Sequence, residues 1–202
     1  TQTSFTQFKK KEIIFVSLAN LPEIILPARE ENAGYQYELL INYLDSLNKK
    51  KVKFNDSKFD LKIFYSKDIC EKCIVINNQD LLLVSNDYDT EENDIEIIET
   101  FQKSLIDNAI LKNYKMSYVN NDLDDLIYNL SKNLISHTII TRSSYLFYKK
   151  YYPNLSIKKV IGNINLLWKF SVDDGSLQNN LFEFLESSET ASLIANLNNK
   201  YY

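Results

Sequence analysis

Cys70 and Cys73 are the one chemically suggestive pair in the sequence. A Cys-x-x-Cys dithiol used for redox exchange sits at the start of a helix after a strand, where the helix dipole lowers the thiol pKa. Here the flanking residues read as extended and polar. That points to two sulfurs across a tight turn: a disulfide in an oxidising compartment or two thiols in a reducing one, the bridge being preferred. Zinc would need a second such pair, and His137 is the single histidine, so neither a metal site nor another cofactor is expected. His137 precedes the apolar residues 138–140 with no acidic neighbour in sequence and reads as a strand-end histidine without a catalytic role. Asp122, Asp124 and Asp125 stand at a helix start, where carboxylates cap and solvate. With no nucleophile beside a base and no opposed carboxylates, the chain is not expected to be an enzyme.

Composition removes other classes. Three glycines cannot write a Walker loop or a dinucleotide-binding turn. The formal charge of −4, with lysine runs no longer than residues 9–11 and 49–51, speaks against nucleic acid as a partner. Apolar runs such as residues 81–84 fall far short of the roughly 20 residues that span a bilayer. No leader pattern opens the chain, which reads as a processed or excised piece. The acidic stretch at 87–94 lacks the glycine and terminal glutamate of a calcium loop and reads as a solvated helix start. The 14 tyrosines and 11 phenylalanines fall mostly on apolar faces, as core packing requires.

The elements that must position these residues alternate between strand and helix. Residues 1–10 are polar and read as a flexible arm. The continuous apolar run at 13–18 predicts a strand covered on both faces. Tyr37, Leu40, Ile41, Leu44 and Leu47 recur at helical spacing over 35–48. Residues 52–65 alternate as one or two strands around a turn at 55–57, and 74–76 and 81–84 read as separate strands. Ile95, Ile98, Phe101, Leu105 and Ile106 suggest a helix. Strands follow at 115–119, 138–140, 156–161 and 166–172, with helices at 122–133, 144–152, 177–185 and 191–202. The class is α/β.

Two stretches carry a resemblance. Residues 11–44, KEIIFVSLANLPEIILPAREENAGYQYELLINYL, contain a strand, a loop and the helix start Gly34-Tyr35-Gln36-Tyr37-Glu38-Leu39. Towards the end come His137-Thr138-Ile139-Ile140-Thr141-Arg142-Ser143-Ser144, Tyr151-Tyr152-Pro153-Asn154-Leu155, Leu166-Leu167-Trp168, Asp174-Gly175-Ser176-Leu177 with Phe184-Leu185, and Lys200-Tyr201-Tyr202. Together they resemble the family 3 periplasmic solute-binding proteins, most closely the N-terminal regulatory domain of membrane-bound lytic murein transglycosylase F. The resemblance implies a two-lobed periplasmic-binding-protein-like fold with two crossing strands, lobe 1 being residues 11–80 plus 165–202 and lobe 2 residues 81–164. Lobe 1 is expected to be reduced, because the helix the family places between residues 52 and 81 is missing or shortened.

The same resemblance implies a cleft for a small-molecule or muropeptide ligand. Carried over by position, the contacts are Leu18, Asn20 and Leu21 after the first strand, Ser85 and Asn86 where backbone amides would favour an anion, and Thr141 and Arg142. Amino-acid binders of the family use a lobe 1 arginine and a lobe 2 aspartate. This chain has no arginine between residues 52 and 81, and Thr141 stands at the aspartate position. Arg142 offers a fork suited to a carboxylate, or else is a surface arginine that pairs with a helix acid. Glu38 is expected to cap its helix or touch the preceding loop. The implied setting is the periplasm, with an outer-membrane anchor and a C-terminal lysozyme-like catalytic domain in a longer protein, and export would oxidise Cys70 and Cys73. The implied role is a non-catalytic sensing domain for peptidoglycan fragments, small peptides or amino acids. The alternative is a degenerate scaffold without a small-molecule ligand.

Overall fold

Strand β1 (Ile13–Ser17) forms from β-branched and aromatic residues and lies between two parallel neighbours, β2 (Lys51–Phe54) and β3 (Leu61–Ser66). The computed structural model describes residues 5–18, 34–48, 50–87, 94–98, 112–119, 123–171 and 175–202. The expected contacts Asn20 and Leu21, the acidic residues 88–93, Asp122 and the expected helical residues Phe101, Leu105 and Ile106 lie outside these. The chain divides into two compact units, Thr1–Asn77 with Asn165–Tyr202, and Asn78–Ile164.

In the first unit β3 pairs antiparallel with the end of β8 (Leu155–Phe170), Ile63 opposite Trp168. Period-2 alternation turns Ile14, Val16, Leu61, Ile63, Leu166 and Trp168 onto one face, all fully buried. Helix α1 (Phe5–Lys10) comes first in the unit, and α2 (Tyr35–Ser46) covers that face, its Tyr43 ring 6.2 Å from Trp168. The closing helices, α5 (Ser176–Glu186) and α6 (Ser188–Tyr201), pack on α2 through Phe184, 5.1 Å from Tyr43, and through Tyr201. Each large apolar side chain buried this way contributes about 1.5–3 kcal/mol. The other face departs from expectation: Ile13 and Phe15 are only half-buried. No helix joins β2 to β3. Residues 55–60 make the connection, Asp60 accepting from the Phe15 amide and Asp56 from the Ser17 hydroxyl, both at 3.0 Å.

The loose arm expected over residues 1–10 is corrected by α1 over residues 5–10, and residues 1–4 lie outside the described residues. Phe8 anchors it, almost fully buried with its ring edge-on to Phe170 at 5.6 Å. Two strands also replace four. Residues 74–76 and 81–84 belong to one strand, β4 (Cys73–Asn86), and residues 156–161 and 166–170 to β8. Each of these long strands starts in one unit and ends in the other.

The second unit orders β4 beside β7 (His137–Thr141), then β5 (Asp94–Ile98) and β6 (Lys115–Val119). β4 is antiparallel to β7, whereas β5 is parallel to both β7 and β6. The helix expected from Ile95 onward is therefore a strand at its start. Helix α3 (Leu123–Ser131) buries Leu123, Leu126, Ile127 and Leu130, the stripe its spacing predicts, and α4 (Arg142–Lys149) follows β7 directly.

Candidate functional site

In an open α/β sheet a ligand site lies beyond the carboxyl ends of parallel strands, where the strand order reverses. Among the described residues each unit has one reversal. In the first unit β2 and β3 flank β1, so the point is the end of β1, where Ser17 is buried and Leu18 is half-buried. In the second unit β6 and β7 flank β5, so the point lies beyond Ile98, with Thr141 and Arg142 at the end of the neighbouring β7.

Thr141 and Arg142 are engaged within their own unit. Thr141 is fully buried and caps α4, its hydroxyl accepting from the Ser144 amide at 3.3 Å. The Gln79 side-chain oxygen accepts from the Ser143 amide at 3.0 Å and the Ser143 hydroxyl at 2.7 Å. The Arg142 guanidinium donates through Nε and Nη2 to one oxygen of Asp80, at 3.0 and 2.8 Å, and Asn163 donates to the other at 3.3 Å. Hydrogen bonds from Arg142 first and Asn163 second hold the Asp80 carboxyl below the usual carboxylate range. The acid partner of Arg142 thus comes from a strand, not from a helix.

Ser85 and Asn86 stand elsewhere. β4 runs against β7, so Leu81 lies opposite Thr141 while Ser85 lies opposite His137, about 14 Å further along at roughly 3.4 Å per residue. Their side chains serve the fold. The Ser85 hydroxyl donates to the Asn86 carbonyl at 3.0 Å, and the Asn86 amide donates to Leu130 and Asn133 at 2.9 and 3.1 Å, closing the end of α3. The side chains of this pair, expected at an anion contact through their backbone amides, are thus taken up by the fold. His137 shares this end, buried, its Nδ1 3.0 Å from the Ser136 hydroxyl and its ring edge-on to Tyr114. Burial first, and Lys158 second, push its pKa down.

At the start of α2, Gly34 takes φ 131°, a conformation in which a side chain would be strained. Its amide donates to the Tyr201 hydroxyl at 2.8 Å, which in turn donates to the Glu38 carboxylate, and Lys200 pairs with Glu38 at 3.0 Å. Glu38 therefore binds the C-terminal helix, a partner more than 160 residues away that no local spacing announces. Cys70 and Cys73 face each other across a turn, the Cys73 amide donating to the Cys70 carbonyl at 3.1 Å and the Cα atoms 5.2 Å apart, within disulfide reach. Among the described residues no three His, Cys, Asp or Glu side chains gather to hold a metal.

No family model and no curated protein sequence matches the chain. Solved structures match it from end to end. The P235GK mutant of ArgBP from T. maritima superposes with a TM-score of 0.69 at 12% identity, covering 97% of each chain. The GluR0 ligand-binding core in complex with L-glutamate gives 0.65 at 11%, over 95% of this chain and 99% of that one. The substrate-binding protein of an amino acid ABC transporter gives 0.63 at 12%, over 94% and 99%. The fold is that of the periplasmic binding proteins, and no helix of the described residues is long and apolar enough to cross a membrane.

Proposed function

We propose that this chain is a non-enzymatic ligand-binding domain of an exported protein, and that its ligand is a small peptide or a peptidoglycan-derived fragment. The end-to-end likeness to the ligand-binding core and the substrate-binding protein carries the first part. The second part rests on what the switch points hold. Residues 52–81 offer no arginine for a free amino acid's carboxylate. Thr141 offers no charge for its ammonium group, and Arg142 is engaged by Asp80. Recognition by backbone amides and neutral side chains suits amide-rich ligands better than zwitterions. In this reading the domain senses murein fragments in the periplasm on behalf of a murein-cleaving protein, and Cys70 and Cys73 are oxidised, so the denatured, unreduced chain titrates no thiol.

A thermal-shift panel of muropeptides, di- and tripeptides and free amino acids tests the assignment. One of the first two classes should raise Tm, since a ligand at 100 times its Kd adds about 2.7 kcal/mol. A shift confined to free amino acids would overturn the ligand class, and no shift at all would overturn binding. A scaffold without a ligand is the second reading, favoured by the capture of the α4 donors by Gln79 and Asp80; it predicts the flat panel.

A further inference from the structure

The turn that carries Cys70 and Cys73 joins β3 to β4, and the residues around the pair are exposed: 67–69 before it, Glu71 and Lys72 within it. Cys70 itself is half-buried, whereas Cys73, the first residue of β4, is 7% exposed. One member of the pair is therefore open to a partner from outside. The chain has no other cysteine, so a thiol freed here has no further intramolecular partner.

The backbone closes this turn by itself. The Cys73 amide donates to the Cys70 carbonyl at 3.1 Å and the Cα atoms stand 5.2 Å apart, as in a β-turn. Ile74, next along β4, is almost fully buried and anchors the far side. A bridge across four residues removes little chain entropy, and here it fastens residues that a hydrogen bond already holds together. Coupling of this kind is reciprocal: a bridge that adds little to the stability of the fold takes equally little from it. Such a bond can open while the domain stays folded, and its two thiols stay close enough to close again. No helix starts at the turn, so the pair lacks the dipole that activates the thiol of a redox catalyst. It is equipped to accept electrons in an exchange, not to drive one.

We infer that Cys70 and Cys73 form a redox site, a reversible disulfide–dithiol couple that is reduced by a thioredoxin-like dithiol protein without unfolding of the domain. A thiolate of that protein attacks the Cys70 sulfur, the bond between Cys70 and Cys73 breaks, and Cys73 leaves as a thiolate that takes up a proton. The second thiolate of the reductant then attacks its own sulfur in the mixed disulfide and releases Cys70. Two electrons and two protons pass to the pair, and the reductant leaves as a disulfide. The inference depends neither on a small-molecule ligand nor on which redox state is isolated, since the equilibrium is the same from either side.

The test equilibrates the full native chain with reduced and oxidised glutathione at stepped ratios and a catalytic amount of thioredoxin. A maleimide carrying polyethylene glycol then turns each free thiol into a step in gel mobility. Two thiols should replace none across the series. The native and the urea-unfolded chain should differ by no more than about thirtyfold in their equilibrium constant with glutathione, the value that chain entropy allows for a ring of four residues. A larger gap would make the bridge a structural staple and overturn the inference. Circular dichroism of the reduced chain, and of the Cys70→Ser, Cys73→Ser double variant, should match that of the oxidised chain, and loss of ellipticity in either would overturn it as well. With one cysteine left, Cys70 in Cys73→Ser should form a mixed disulfide with oxidised glutathione faster than Cys73 does in Cys70→Ser. The reverse order would overturn Cys70 as the point of attack.

Discussion

His137 shows what burial does to one titratable group. Its folded-state pKa lies below the ordinary value because the ring is desolvated against Tyr114 and Ser136 and because Lys158 adds a positive charge. The unfolded chain therefore takes up the proton first. Stability is complete above about pH 6.5 and falls as the pH drops towards the lowered value. Tm measured between pH 7 and pH 5 should decline more steeply in the native protein than in His137→Gln, and parallel slopes would refute the linkage. His137 was legible in sequence as a strand-end residue because its apolar neighbours identify β7. The partner of Arg142 was not, because Asp80 lies 62 positions away and meets it only once β4 and β7 are paired. The Tyr201 hydroxyl on Gly34 is hidden for the same reason, since sequence spacing reports neighbours within a turn or two and says nothing of contacts made by folding.

Elements with one apolar stripe were readable, and those that change surroundings along their length were not. α3 shows its buried face at helical spacing, and β7 is short and uniformly buried. β4 carries Asn77, Asn78, Gln79 and Asp80 between two apolar stretches, and a polar interruption of that kind reads as a loop. It is instead the portion where the strand passes from one unit to the other, as it is in β8 around Gly162 and Asn163. In β5, Ile95 and Ile98 stand three apart, a helical spacing, while the run Ile95 to Ile98 is also short enough for a strand, an ambiguity that short apolar runs carry. The element scale also gives Asn86 its task, closing α3 from the end of β4. Asn86→Ala leaves the Leu130 carbonyl without that donor and should cost about 1–3 kcal/mol in urea denaturation, with faster amide exchange at the end of α3. A cost below a few tenths of a kcal/mol would show the contact to be incidental.

At the scale of the whole molecule, the α/β class followed from the alternation of strand and helix and the two crossing strands from the family resemblance, while the half-burial of Ile13 and Phe15 did not, because β1 reads as covered on both sides. The first unit is built from both ends of the chain. Residues 165–202 supply the β8 partner of β3 together with α5 and α6, including the fully buried Leu166, Trp168 and Leu181. A chain ending at residue 164 should therefore lose protected amides at 13–17 and 61–66, and native-like exchange there would show that the unit closes without its C-terminal part. Trp168 is the single tryptophan, fully buried in that unit, with its indole donating to Gln36 at 3.3 Å. Its emission should lie towards the blue, resist collisional quenching and shift red only when the first unit opens. Followed beside the ellipticity of the whole backbone, that one fluorophore gives this unlabelled chain an optical readout of one unit against both.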